Sequence, residues 1–597
     1  MDACRRAGFA VSAPCGGKGL CGKCRVRVLE GNVPADSRQQ ACLPKRMLDA
    51  GWRASCIVDD YGDLLLADPV DDGQGGIILT DFMARESRGV SGIWEVAVEM
   101  PEPSTSDQRD DATRLGEALA AAGAPAADSL GENLRLLAAI PDALRADSFK
   151  CRALGFADRI LDIRVGDEAP RFGLAVDIGT TTLAAALCRL DDGRVLAVVS
   201  RANPQAAHGD DVISRIDYAS RGNAELEEMR RLIVRAIEEL GAEAAGEAGV
   251  ENSPLLLAVG GNTVMNHLLL GVNPRALAVS PFIPAFRSAG PFSAAELGWR
   301  GAKPPTVLLA PNISAYVGGD ITAGILAHDV HRRGGTTLFL DVGTNGEIAL
   351  SHDGVVYACA TAAGPAFEGA RIKQGMRATA GAISRVGLTA DGDMEIGVVD
   401  SLFPARGLCG TGLLDAVATL LRAGLVDATG RILDAEEAQE NDPAPNPSLL
   451  AMLHEDEEGM AMWLERPSGR GGLGVSLTQR DVREFQLAKG AVAAGVRVLL
   501  GVAGLKAGDL DQVLLAGGFG NYMDPASALA VGLLPAGIPA ERIRSVGNAS
   551  LAGTRLCLLS AEERDDALEL SRRVRYVELS GRDDFQAAFA EEMMFPE

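Results

Sequence analysis

The sequence predicts a multidomain protein of the α/β and α+β classes, with a small N-terminal domain, a small α/β middle domain and a large C-terminal part built as two similar lobes. Three observations predict it. A strand ending in Asp-x-Gly-Thr, followed by a turn and two further strands, occurs twice. A strand–Gly-Gly–helix element follows each copy. Six of the eleven cysteines fall within the first 56 residues.

The bulk properties set the frame. At 597 residues the chain is too long for one core, and three or four domains are expected. Hydrophobic residues make up 47% and charged residues 23%, as in a folded soluble protein. Aromatics are only 4%, so the cores must rest on Ala, Val and Leu. The formal charge of −24 repels phosphate backbones and argues against a nucleic-acid partner. The N-terminus MDACRRAGFAV lacks a secretory core and cleavage site. The most apolar stretch, Leu487–Leu505, carries Lys489 and Arg497 and reads as a buried core helix rather than a membrane span. A cytoplasmic protein is expected, and its cysteines are then not a disulfide framework.

The domains are expected at residues 1–68, 93–168 and 169–597, with a linker at 69–92 and lobes of about 169–335 and 336–597. The first contains Cys15-GGKGL-Cys21-GK-Cys24, then Cys42 and Cys56. Glycines let such a loop curl round an inorganic core, and its N–H groups can face thiolate and sulfide. Backbone donors of this kind stabilise a negative cluster and tune its potential. Arg25–Leu29 alternates as a strand that Gly31-Asn32 ends. A zinc ribbon prefers paired C-x2-C knuckles, and only one pair is present. Regulatory thiols would not need four cysteines and a glycine collar. Cys4 reads as a buried thiol in a short helix.

The linker is rich in Gly and Asp, with a short strand expected at Ile77–Phe82. Such a tether suits a carrier that visits a donor and an acceptor. The middle domain reads as strand Ile93–Val98 and helices near 113–122 and 130–139, a spacer or docking unit without chemistry of its own.

In the lobes, Phe172–Asp177 runs into Gly179-Thr180-Thr181-Thr182, and Leu183–Leu190 and Val195–Ser200 follow around an Asp192-Gly193 turn. Thr337–Asp341 runs into Gly343-Thr344-Asn345-Gly346, and Glu347–Ser351 and Val355–Thr361 follow around Asp353-Gly354. The second elements are Leu255–Asn262 before a helix near 263–270, and Val513–Gly520 before one near 525–532. The repeated order points to a duplicated fold. Each Asp-x-Gly-Thr turn offers N–H groups and hydroxyls to a phosphate, and Asp177 and Asp341 can each hold Mg2+ through water. Two facing turns would clamp a polyphosphate, and Gly517-Gly518 offers a flat surface for adenine.

These motifs resemble those of the actin/Hsp70/sugar-kinase superfamily, with its ribonuclease H-like, two-lobed ATPase fold. The resemblance implies Asp177, Gly179 and Thr180–Thr182 as the first phosphate loop. Asp341, Gly343, Thr344 and Asn345 become the second, Gly517, Gly518 and Gly520 the adenosine motif, and ATP with Mg2+ the ligand. Gly319-Asp320 and Gly547-Asn548-Ala549 would open the interlobe helices. The N-terminus resembles β-grasp 2Fe–2S ferredoxin domains with one extra residue in the first gap of the C-x4-C-x2-C pattern. That resemblance implies Cys15, Cys21, Cys24 and Cys56 as ligands, because Gly51-Trp-Arg-Ala-Ser-Cys56 matches the family's G-x-R-x-x-C ending. Cys42 is the competitor for the fourth place. Such a domain begins with a hairpin ahead of its first helix. Here Met1 falls within that helix, so the first hairpin is missing and a sheet edge is expected to be uncovered.

Four further stretches, Gly261–His267, Thr361–Gly369, Gly407–Asp415 and Phe485–Gly490, and the terminal Phe595-Pro596, resemble one family: the ATP-dependent reductive activators of corrinoid proteins. The reaction implied is one-electron reduction of an inactive Co(II) corrinoid to Co(I), with ATP driving an uphill transfer through a change of conformation. The implied partners are the corrinoid protein of a methyltransferase system and an upstream low-potential electron donor, with a homodimer possible. Three alternatives stand beside it: an activator of a radical dehydratase, a small-molecule kinase, and an ATP-binding redox sensor. Cys359 and Cys409 read as buried thiols and His208 and His267 as structural residues. Asn262 and Asp211 read as cleft residues without a task, and Glu368 as a neighbour of the phosphates.

Overall fold

The computed structural model describes residues 24–31, 33–43, 45–49, 51–58, 64–66, 85–125, 130, 134–166, 169–251, 253–400, 403–441, 445–467 and 474–596. Cys4, Cys15, Cys21 and the strand expected at Ile77–Phe82 lie outside the described residues.

In the N-terminal domain, β1 (Arg25–Glu30) lies between β2 (Trp52–Ala54) and β3 (Leu65–Leu66), antiparallel to both. Gly51, before β2, has φ +86°, which favours glycine. Arg53 then braces the surrounding loops, its guanidinium donating to the Val33 and Leu48 carbonyls at 2.7 and 2.8 Å.

The middle domain is an antiparallel sheet of β4 (Ile93–Glu99), β5 (Lys150–Phe156) and β6 (Arg159–Arg164), with β5 central. Helices α1 (Asp111–Ala121) and α2 (Leu134–Ala146) bury Leu115, Leu119, Ile140 and Leu144 against it. The second helix runs farther than its apolar pattern suggests, because Pro141 is accommodated inside it. From β5, Leu154 and Phe156 instead join the core of the first lobe, beside Ala175 and Ala184.

The two lobes repeat one topology. In the first, β7 (Phe172–Ile178), β8 (Thr182–Arg189) and β9 (Val195–Ala202) form an antiparallel meander. The 26-residue α3 (Asn223–Ala248) crosses back to β10 (Leu256–Gly261), which pairs parallel to β7. The short β11 (Phe292–Ser293) and the parallel β12 (Thr306–Leu309) complete a sheet ordered β11-β12-β10-β7-β8-β9. α4 (Thr263–Leu270) follows β10, and α5 (Gly319–Ala327) follows β12.

In the second lobe, β13 (Thr336–Val342), β14 (Gly346–His352) and β15 (Val355–Thr361) repeat the meander. An insertion follows, with one sheet of β16 (Ala382–Leu388), β17 (Met394–Val398) and β18 (Gly407–Leu408) and the helix α6 (Gly410–Arg422). Its other sheet is β19 (Leu453–Asp456), β20 (Gly459–Glu465) and β21 (Val475–Thr478). The crossover helix α7 (Gln479–Ala503) returns the chain to β22 (Gln512–Ala516), parallel to β13, and β23 (Ile543–Ser545) lies parallel to β22. The closing β24 (Arg575–Tyr576) gives the order β23-β22-β13-β14-β15-β24. α7 is long and apolar enough to cross a membrane, but Val482, Phe485, Val492 and Val496 pack it into the core of this lobe. The mixed α/β and α+β multidomain class predicted by the sequence is borne out.

Each lobe lends a helix to the other. α5 leaves the first lobe, and its Ile321 and Ile325 pack with Phe339 and Leu514 of the second. α8 (Ala549–Leu559) leaves the second, and its Leu551 and Leu558 pack with Ala175 and Leu256 of the first. The two helices cross at Gly553, where a Cβ would lie 1.9 Å from the Ala323 carbonyl oxygen. α9 (Ala561–Arg573) and α10 (Asp583–Glu592) end the chain.

Candidate functional site

A cleft of about 440 Å³ lies between the lobes, lined by both Asp-x-Gly-Thr turns and by Gly517 and Gly518. The first turn joins β7 to β8 and holds Gly179, Thr180, Thr181 and Thr182 against the cleft. A Cβ at Gly179 would come within 2.7 Å of the Thr182 carbonyl oxygen, so only glycine fits this bend. The turn is braced from behind: the Asn203 side-chain amide donates to the Gly179 carbonyl at 2.8 Å, and buried Arg215 donates to the Thr180 carbonyl. The second turn joins β13 to β14 and holds Gly343, Thr344 and Asn345. Its Gly343 N–H donates to the Asn345 carbonyl at 2.9 Å, which closes the bend.

The two turns meet through one carboxylate. Thr181 Oγ1 donates to Glu368 Oε1 and Oε2 at 3.1 and 2.9 Å, and Thr344 Oγ1 donates to Oε1 at 2.6 Å. Deeper in the cleft, the Asn262 side chain reaches Glu347 Oε1 at 3.5 Å across the lobes.

The two turn aspartates have different surroundings. Asp177 accepts from Asn548 Nδ2 at 2.9 Å and Ser550 Oγ at 2.6 Å, both at the start of α8. Burial still raises it, against those two hydrogen bonds. Among the described residues no side chain donates to Asp341. Burial, with the Asp177 charge adding, pushes it up to about 7. Asp320 at the start of α5 is pushed up to about 8 by burial and by the charges of Asp341 and Asp177. Burial and the same neighbours, Asp320 and Asp341, also raise Glu347. Glu347 faces Asp341 directly across the β13–β14 ladder; the equivalent place in the first lobe, opposite Asp177, holds Ala184. The acidic concentration therefore gathers around Asp341, with Glu347 from the same lobe and Asp320 from the first, and Mg2+ would relieve it.

Among the described residues no three His, Cys, Asp or Glu side chains form a direct metal cage. That suits Mg2+, which keeps several waters and takes one or two carboxylates plus phosphate oxygens. The backbone fits a nucleotide as well. A Cβ on Gly343 or Gly518 would meet no atom within 4 Å, so both glycines border open space. Gly517 has φ +84°, and a Cβ there would come within 2.4 Å of Asp341 Oδ1. Phe519, beside it, stacks on Phe367 with ring centroids 4.4 Å apart. Gly520 is buried and is not among the residues that line the cleft.

Behind the first turn lie charged residues the sequence reading passed over. Burial pulls the Arg215 guanidinium down to about 10, and the charges of Asp210, Asp211 and Glu368 oppose that shift. Burial raises Asp210 to about 6, with Arg377 and Arg215 opposing. Arg377 and Arg385, by contrast, line the cleft itself. Arg377 stands in a Gly-Met-Arg-Ala stretch with no periodic or glycine-turn signal to mark it.

The remaining singled-out residues have structural surroundings. His267 is fully buried, its Nδ1 at 2.8 Å from the Thr263 carbonyl and its Nε2 accepting from Ala285 N–H at 3.1 Å. His208 stacks on Tyr218 at 4.0 Å. Asp211 and Asn262 cap helices, accepting from the Ser214 and Val264 N–H groups. Cys359 is buried outside the cleft; Cys409 lines it, with its thiol on the Ile383 carbonyl at 3.3 Å.

In the N-terminal domain, Cys24 immediately precedes β1, and the ladder pairs Arg25 with Ala54. The Ser55 N–H donates to the Cys24 carbonyl at 2.9 Å, which brings Cys56 to the same end of the sheet. Cys24, Cys42 and Cys56 share one small core cluster. Cys15 and Cys21 fall outside the described residues.

Known proteins match the chain along its length. The family model of the 2Fe-2S iron-sulfur cluster binding domain matches residues 1–58, and that of the RACo linker region matches 85–170. The RACo middle region matches 172–333, and the C-terminal domain of RACo, the ASKHA domain, matches 335–597. The chain is 34% identical over 443 residues to the corrinoid activation enzyme RamQ of Eubacterium limosum, covering 73% of each protein. It is 26% identical over 432 residues to the [Co(II) methylated amine-specific corrinoid protein] reductase of Methanosarcina barkeri, covering 68% of this chain and 73% of that one. Among solved structures, the reductive activator for corrinoid,iron-sulfur protein matches with a TM-score of 0.71 and 34% identity, over 100% of this chain and 95% of that one.

Proposed function

The chain belongs to the RACo family of reductive activators, and we propose that it reduces the Co(II) corrinoid of a partner protein to Co(I) in a reaction driven by ATP. One observation carries the ATP half: Thr181 of one lobe and Thr344 of the other converge on a single carboxylate, so both turns can grip one polyphosphate. In this reading Gly179–Thr182 and Gly343–Asn345 receive the phosphates, and Gly517-Gly518 borders the adenosine. Asp341, with Asp320 and Glu347 beside it, holds Mg2+ through water. Asp177 acts through the start of α8, so its carboxylate ties the phosphate loop to the interlobe helix.

A 2Fe–2S cluster, when bound, supplies single electrons at a potential of about −400 mV. Cys15, Cys21, Cys24 and Cys56 hold it; the ladder that sets Cys56 beside Cys24 favours Cys56 over Cys42 as fourth ligand. An upstream low-potential donor refills it. ATP acts by differential affinity: the closed lobes prefer the partner state whose cobalt accepts an electron more readily. Association of two copies belongs to the same proposal and is read from sedimentation of the reconstituted protein.

The test is spectroscopic. The protein is reconstituted anaerobically with iron and sulfide and mixed with a corrinoid protein, and cobalt reduction is followed with and without ATP. Reduction that requires ATP is expected. Reduction without ATP, or none from a protein with an intact cluster, would sink the proposal. Cys56→Ser is expected to abolish the 2Fe–2S electron paramagnetic signal while Cys42→Ser retains it; the reverse result reassigns the fourth ligand.

A further inference from the structure

Glu368 sits at the end of a short 3-10 turn, Pro365–Glu368, in the second lobe. Its carboxylate is where the two phosphate turns meet, and what it accepts is notable. The hydroxyls of Thr181 and Thr344 are donors that the turns would offer to a phosphate, yet both already point at Glu368, at 2.6 to 3.1 Å. A hydroxyl has one hydrogen to donate. Carboxylate and phosphate oxygens are equivalent anionic acceptors, so they compete for it. Two anions packed into one place also repel. The two cannot occupy the same place between the turns.

A displaced carboxylate has somewhere to go. Arg377 lines the same cleft, and among the described residues its guanidinium has no hydrogen-bond or ion-pair partner. Glu368 and Arg377 act electrostatically on the same two groups, Asp210 and Arg215, and so share one neighbourhood.

We propose that Glu368 is an internal occupant of the terminal-phosphate subsite, exchanged for the γ-phosphate when ATP enters and restored when only ADP remains. Glu368 thereby sets the discrimination between tri- and diphosphate. In the nucleotide-free and ADP-bound protein it bridges Thr181 and Thr344. In the ATP-bound protein the γ-phosphate takes those donors and Glu368 turns to Arg377. Loss of the γ-phosphate by hydrolysis returns the carboxylate to both turns, which resets the cleft. The inference rests on the reading of the cleft as an ATP site.

Equilibrium binding separates the two claims. The full-length protein and its Glu368→Ala and Glu368→Gln variants are titrated, with Mg2+, against a non-hydrolysable ATP analogue and against ADP. E368A is expected to bind the analogue about tenfold more tightly (about 1.4 kcal/mol) while its ADP affinity stays within about twofold. E368Q, which keeps the size but not the charge, is expected to fall between E368A and wild type. Unchanged or weaker analogue binding in both variants, or equal shifts for analogue and ADP, overturns the proposal. Wild-type protein that binds neither nucleotide removes the reading of the cleft itself.

Discussion

Asp341 shares the floor of the cleft with Asp320 and Glu347, and this crowding sets how the site responds to pH. A carboxyl raised in the folded protein stabilises the fold fully below its ordinary value, and that contribution is lost as pH rises through the raised value. With Asp341 at about 7 and Asp320 at about 8, the window is pH 4 to 8. The nucleotide-free protein is therefore expected to lose thermal stability from pH 6 to pH 8.5. Mg2+ needs the charged form, so Mg2+–nucleotide affinity should rise over the same interval and binding should release protons. Calorimetry in two buffers of different ionisation enthalpy measures that release. Asp320→Asn should reduce it and raise the melting temperature of the nucleotide-free protein at pH 8; an unaltered proton count in this variant contradicts the assignment. Asp177 and Asp341 were legible as a pair, because the strand–Asp–Gly–Thr pattern marks both. Their different roles were not. Those arise from Asn548 and Ser550, hundreds of residues away in the chain, and from the cross-strand place that holds Glu347 in one lobe and Ala184 in the other.

At the scale of elements, the meanders were readable because alternating apolar strands and Asp-Gly turns are local signals. The insertion sheets and the exchange of α5 and α8 between lobes were not. Both helices are apolar on nearly all sides, so no amphipathic stripe says which sheet each one covers. The close crossing can be tested at Gly553, where an added Cβ would collide with the Ala323 carbonyl. Gly553→Ala is expected to destabilise by about 1–3 kcal/mol, overpacking outweighing the gain in helix propensity. Gly246→Ala in α3 meets nothing within 4 Å and should stabilise by about 0.5–1 kcal/mol. Denaturant unfolding of the two variants compares them directly. Equal, stabilising effects would mean that the helices do not cross this closely. If ATP works by shifting these helices, G553A should also weaken the effect of nucleotide on protection of α5 and α8 from hydrogen exchange.

At the scale of the molecule, the question is how a change in the cleft reaches the cluster domain. The segment at 85–92 joins that domain to the rest and lies against the far ends of the interlobe helices. Arg85 makes a two-pronged pair with Glu563 at 2.6 and 2.7 Å and a further pair with Asp329 at 3.2 Å. Arg88 joins Asp329 as well, and the Ala561 N–H donates to the Val90 carbonyl at 2.9 Å. Asp329 lies just beyond α5 and Glu563 just beyond α8, so one arginine senses both helices. A hinge movement that shifts α5 against α8 is expected to strain or release this clamp. Sequence gave no hint of it, since Arg85 and Arg88 stand in a charged linker where solvated side chains are the default. The Glu563 side chain is only 1% exposed, so stripping its partner leaves a buried charge. Arg85→Ala is expected to cost about 3 kcal/mol, and adding Glu563→Gln should recover most of that loss. Basal ATP hydrolysis should survive in the double variant, because neither residue lines the cleft. The dependence of cobalt reduction on ATP should fall. A double variant whose cobalt reduction remains as tightly ATP-dependent as wild type would show that the clamp is scaffolding, and coupling would then have to run through the contact of the middle domain with the first lobe at Leu154 and Phe156.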